Sequence, residues 1–75
     1  MPLINVKLIE GVFNDVQKKK MVTDLTDAMV AIEGESMRQF TWVVIEEVKS
    51  GNWALGGMPL TTADVRALQV KRSAA

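Results

Sequence analysis

Polar and apolar residues alternate through the first segment of the chain. Ile4, Val6 and Leu8 fall on one face of an extended strand, with Leu3, Asn5, Lys7 and Ile9 on the other. Leu3 to Ile9 is therefore predicted as a strand with one strongly apolar face, ended by a turn at Glu10-Gly11. The period then becomes helical. Met21, Val22, Leu25, Ala28, Met29 and Ile32 make one apolar stripe, while Lys18, Lys20, Thr23, Asp24 and Asp27 fall mostly outside it. Asn14 suits an N-cap, Gln17 three residues on completes a capping box, and Val16 helps to seat the first turn. Gly34 is the natural stop. The predicted helix runs from about Asp15 to Glu33.

Glu35 to Gln39 is a polar connection. Phe40 to Val48, rich in β-branched and aromatic residues, is the second predicted strand. Strand, helix and strand make a βαβ unit, whose right-handed crossover leaves the strands parallel. Trp53-Ala54-Leu55 is a brief apolar segment and Gly56-Gly57 a turn. Thr61-Thr62-Ala63-Asp64 caps a short last helix carrying Val65, Leu68 and Val70. Lys71-Arg72 suits its C-terminus, and Ser73-Ala74-Ala75 reads as a frayed tail. The expected fold is α/β: one domain over residues 1–75, a β-α-β unit followed by a hairpin and a short helix.

Size changes this picture. A chain of 75 residues buries only ~60% of its unfolded surface, so a lone core is marginal. Without Cys there is no disulfide, and carboxylates alone make a poor structural zinc site. Association of copies is the remaining device, and a hydrophobic content of 48% suits it. A two-stranded parallel sheet also needs cover for its bare face and edges. The 9 basic residues are matched by 9 acidic ones, which argues against a nucleic-acid partner. Lys18-Lys19-Lys20, the one basic run, reads as a solvated helix face. Neither a signal peptide nor an apolar stretch long enough to span a membrane is visible. No membrane partner and a reducing cytoplasm are the expectations.

The catalytic inventory is narrow. With neither His nor Cys, triad and thiol chemistry are impossible within one chain. That turns attention to the amino terminus. Initiator methionine is normally removed before a small residue, and Pro2 qualifies. Removal would leave a secondary amine. An α-amine titrates near ~7.7–8.0 in a peptide, and an apolar setting lowers that value. Leu3, Ile4, Trp42 and Trp53 are candidates for such a setting. The neutral amine can then act as general base. With Met1 attached, the nitrogen is an amide and has no basicity. A plainer reading stands beside this one: Pro2 merely begins a strand, where proline is tolerated.

Pro2-Leu3-Ile4 at the start, Glu10-Gly11 after the strand, Gln17-Lys18 early in the helix and Gly51-Asn52-Trp53-Ala54-Leu55-Gly56-Gly57 together resemble the 4-oxalocrotonate tautomerase family. The resemblance covers nearly the whole chain up to Gly57. It implies a strongly associated β-α-β protomer, typically a homohexamer built as a trimer of dimers. It implies an isomerase, a keto–enol tautomerase without metal or organic cofactor, acting on a small enol or unsaturated keto acid. Pro2 matches the family's general base. Trp53 matches the aromatic residue that lines the pocket, usually Phe. Ile9 matches the position whose main-chain N–H contacts substrate.

Two positions depart from the pattern. The family has an Arg just after the Glu-Gly turn, where this chain has Val12-Phe13. A second Arg early in the second strand is replaced by Trp42. Those arginines hold substrate carboxylates through a bidentate fork. Their absence points to a more apolar pocket, with Trp42 and Trp53 as walls, and to a monoacid or aryl keto–enol substrate. Arg38, just before the second strand, is the candidate replacement cation. Lys7 and Arg66 are further candidates, and each of the three is more simply a solvated charge. Glu46 and Glu47 are adjacent on a strand, point to opposite faces and cannot form a dyad. Two other outcomes stay open: an idle small-molecule-binding oligomer on the same fold, and a hydratase or decarboxylase of the same superfamily.

Overall fold

The computed structural model describes residues 1–74, with side chains through Val70. In chain order the elements are β1 (Leu3–Ile9), α1 (Asp15–Glu33), a 3-10 segment (Glu35–Phe40), β2 (Trp42–Val48), β3 (Trp53–Leu55), β4 (Met58–Leu60) and α2 (Thr62–Ala74). β1 pairs with β2, and β3 with β4. Contacts divide the chain into two compact units. One holds Met1–Val6 with Asn14–Glu46. The other holds Lys7–Phe13 with the residues from Glu47 on.

β1 and β2 are parallel. At one end of the pair the Trp42 N–H donates to the Pro2 carbonyl (3.0 Å), and at the other the Glu10 N–H donates to the Val48 carbonyl (2.8 Å). In the first unit, Ile4, Val6, Val43 and Ile45 are half-buried, while Leu3, Asn5, Trp42, Val44 and Glu46 between them are exposed. The sheet therefore has one covered face and one bare face. Ile9, assigned by alternation to the bare face, lies where the pleat ends and is buried.

α1 has the bounds that its caps predict. The Asn14 side chain accepts from the Gln17 N–H at 2.8 Å, and the Gln17 side chain accepts from the Asn14 N–H at 2.9 Å. At the other end the Gly34 N–H donates to the Val30 carbonyl (2.8 Å). The expected single stripe is corrected. Ile32 is 83% exposed, and Val16, Val22 and Ala28 are exposed as well. Val30, outside that stripe, is buried instead, at 6% exposed; in the second unit Ile9 is buried to the same extent. One helix over two strands has less sheet to cover than its apolar residues could fill.

The second strand also starts later than expected. Phe40 belongs to the 3-10 segment, and β2 begins at Trp42. Thr41 explains the delay. Its N–H donates to the Arg38 carbonyl (3.2 Å) and its hydroxyl to the Met37 carbonyl (2.9 Å), which keeps the chain wound through Phe40. The Thr41 hydroxyl also meets the Glu33 side chain.

In the second unit, Trp53↔Leu60, Ala54↔Pro59 and Leu55↔Met58 form an antiparallel hairpin. Gly56 and Gly57 have φ of 56° and 82°. A two-residue turn of this hand needs positive φ at both positions, hence the two glycines. α2 is capped reciprocally: Thr61 N–H to Asp64 Oδ2 (2.9 Å) and Asp64 N–H to Thr61 Oγ1 (3.2 Å). It extends through Ser73 and Ala74, which were expected as a tail; Ala75 lies outside the described residues.

Candidate active site

Pro2 sits immediately before β1 and is half-buried. Its carbonyl is fixed by the Trp42 N–H, so the parallel register sets the starts of both strands side by side. Around this point the bare sheet face is apolar: Leu3 is 60% exposed and Trp42 57%, with Val44 next along β2. The structure thus brings the main chains of Pro2 and Trp42 together in the first unit, with the Leu3 and Trp42 side chains on the bare face. Ile9, buried, and Trp53, half-buried at the start of β3 opposite Leu60, belong to the second unit.

Arg38 is engaged. Its Nε and Nη2 donate to the two carboxylate oxygens of Glu35 (2.7 and 3.2 Å), and its Nη1 donates to Asp27 (2.8 Å). These bonds raise the guanidinium's pKa further and hold the Glu35 carboxyl below the usual carboxylate range, the Glu35–Arg38 hydrogen bonds being the larger cause in each case. The cation expected to receive a substrate is already paired with two carboxylates of its own unit. The i, i+3 spacing of Glu35 and Arg38 was the sequence signal for this.

Glu46 and Glu47 have different partners. Glu46 accepts from the Asn5 side chain, and Glu47 accepts from the Gly11 N–H at 3.4 Å. A groove of about 530 Å³ opens in the first unit, lined by Asp15, Lys18, Lys19, Val22, Thr23 and Ile45; none of the residues singled out from the sequence as substrate contacts lines it. Among the described residues, no three carboxylates stand close enough to hold a metal ion, and no helix is long and apolar enough to cross a membrane.

One contact in the second unit escaped the sequence reading. Arg66 in α2 reaches the Gly11 carbonyl at the β1–α1 turn with both Nε (3.1 Å) and Nη2. Fifty-five positions separate the two residues, and no local pattern signals the pairing.

Comparison with known proteins follows the same lines. A family profile described as "Tautomerase enzyme" matches residues 2–63. A Staphylococcus aureus protein (strain Mu50) named "Probable tautomerase" is 43% identical over 58 residues, spanning 77% of this chain and 92% of the relative. The crystal structure of SAR1376 from methicillin-resistant Staphylococcus aureus superposes with a TM-score of 0.67 at 40% identity, covering 84% of this chain and 95% of that one. TomN, described as a 4-oxalocrotonate tautomerase homologue in the tomaymycin biosynthetic pathway, gives a TM-score of 0.71 at 30% identity, covering 88% and 95%.

Proposed function

Because the chain belongs to the tautomerase family, we propose that it is a cofactor-independent keto–enol isomerase whose general base is Pro2, freed by removal of Met1. The observation that carries this reading is that the family match begins on the proline itself, half-buried at the start of β1. The neutral amine of Pro2 takes the enol O–H proton as the carbonyl forms, and the resulting ammonium returns a proton to the adjacent carbon. The amine ends as it began. An apolar surround favours its neutral form, and Leu3 and Trp42 contribute that surround. Trp53 and the Ile9 N–H serve as further substrate contacts. A substrate carboxylate at Arg38 would have to displace Glu35 or Asp27, so the same reading favours a small, largely apolar monoacid over a dicarboxylate.

Copies associate through the bare face of β1–β2, with Leu3, Trp42 and Val44 going from exposed to covered. A homohexamer arranged as a trimer of dimers is the expected form, and native mass spectrometry measures it.

The test is ketonisation of phenylenolpyruvate, followed optically, by protein whose intact mass shows that Met1 is absent. A preparation that retains Met1 should be slower by ~10²-fold or more, the usual worth of a positioned base. Equal rates with and without Met1 would remove Pro2 from the mechanism. The paired state of Arg38 favours a second reading, a binding oligomer without turnover. Failure of the Met1-free protein on every enol tested would select it.

A further inference from the structure

We propose that Arg66 is the anchor of a carboxylate-binding site at the Glu10-Gly11 turn. The inference stands apart from the role given to Pro2 and concerns a residue of the second unit. The two arginines with described side chains differ sharply. Arg38 gives its donors to the carboxylates of Glu35 and Asp27. Arg66 gives Nε and Nη2 to one neutral acceptor, the Gly11 carbonyl, and has no carboxylate partner among the described residues. Its charge is therefore held in place without being neutralised.

A guanidinium carries five N–H groups in a planar fork. With one N–H of Nε and one of Nη2 on Gly11, both N–H groups of Nη1 and the second of Nη2 remain. One N–H of Nη1 and the remaining N–H of Nη2 share one edge of the fork, which matches two carboxylate oxygens. The acids of the same unit have other bonds. Glu10 accepts from the Ser50 N–H (3.0 Å), Asp64 caps α2 through the Thr61 N–H (2.9 Å), and Glu47 accepts from the Gly11 N–H (3.4 Å).

The acceptor that orients Arg66 is itself fixed. Gly11 has φ +78°, and a Cβ there would lie 3.1 Å from the Thr62 Cγ2. The Thr62 hydroxyl donates to the Glu10 carbonyl (2.5 Å) and the Thr62 N–H to the Ser50 Oγ (2.9 Å). Turn and arginine are ordered before any ligand arrives, which lowers the entropic cost of binding. One such fork holds one carboxylate, so the ligand class is a small monocarboxylate. It is either the substrate of this protein or a separate ligand.

The full-length protein, labelled with ¹⁵N, is titrated with sodium phenylacetate and, separately, with neutral phenylacetamide. The expected result is saturable shifts of the Arg66 Nε–H and Gly11 N–H resonances with phenylacetate and none with the amide. Arg66→Gln should weaken phenylacetate binding by roughly 10- to 100-fold, the worth of charge-assisted hydrogen bonds. Arg66→Lys, which keeps charge without the fork, should fall between; it and the amide control also decide the matter if Arg66→Gln does not fold by circular dichroism. Equal binding of acid and amide, or wild-type affinity in both variants, would overturn the proposal. Competition between phenylacetate and phenylenolpyruvate assigns the site to the substrate's carboxylate. Binding without competition assigns it to a separate monocarboxylate, and either result upholds the anchor. Loss of all turnover, with Arg66-dependent binding intact, would remove only the Pro2 reading.

Discussion

The main-chain N–H of Trp42 donates to the carbonyl of Pro2 across 3.0 Å. The residue before β1 is thus held by the backbone of β2, while the indole ring of Trp42 is left exposed on the bare sheet face. These two functions are separable. Trp42→Ala keeps the hydrogen bond and loses the ring. The expected outcome is an unchanged circular dichroism spectrum and a KM for phenylenolpyruvate raised roughly tenfold, as loss of about half an aromatic contact implies. An unaltered kcat/KM would show that the ring takes no part.

The reciprocal cap at the start of α1 sets a stability prediction. Asn14→Ala removes the acceptor for the Gln17 N–H and should destabilise the protein by about 1 kcal/mol. Urea unfolding should show a lower midpoint with the same slope, because no new surface is exposed. An unchanged midpoint would mean that α1 is held by packing alone.

Glu35 gives a pH dependence of defined sign. The hydrogen bonds from Arg38 keep its folded pKa below the ordinary value. Its contribution is therefore present above the ordinary glutamate range and is lost as pH falls through the lowered value. Both side chains are exposed, so the effect is small and screened by salt. Acidification from about pH 5 to about pH 3 should lower the urea midpoint of the wild type slightly more than that of Glu35→Gln. Parallel responses of the two proteins would contradict this.

Gly11 is constrained twice, by its positive φ and by the close approach of Thr62. Gly11→Ala should cost about 1–3 kcal/mol, measured by thermal unfolding, and should weaken phenylacetate binding along with it. Full stability in the alanine variant would mean that the turn relaxes freely.

What was legible in the sequence was what neighbouring residues decide. Asn14, Gln17 and Gly34 bound α1 because caps act within one turn of the helix. Gly56-Gly57 signals a hairpin because the two-residue turn needs positive φ at both positions, which glycine takes without strain. Phe40 was misplaced because its intrinsic preference for a strand competes with hydrogen bonds from Thr41 that continue the preceding turn. Ile32 was misplaced because a stripe shows how much a helix could bury and says nothing about the width of the surface beneath it. In the candidate site, the place of Pro2 at the head of the first strand was readable from its position and residue type. The pairing of Arg38 had a local signal in Glu35 but also needed Asp27, eleven residues away. Arg66 and Gly11 meet only through the tertiary fold.

The hairpin is short and greasy at its tip, with Leu55 62% and Met58 70% exposed. An edge of that kind ordinarily invites a strand from another molecule and runaway fibril growth. Leu55 and Met58 flank the two-residue turn as a hydrogen-bonded pair, so the next pair, Ala54 and Pro59, directs its main-chain groups outward. At the centre of β4 the outward group would be an N–H, and Pro59 has none. The free edge of β4 therefore lacks the one donor its centre would offer, and the protein carries its own guard against aggregation at a place where its side chains are most adhesive.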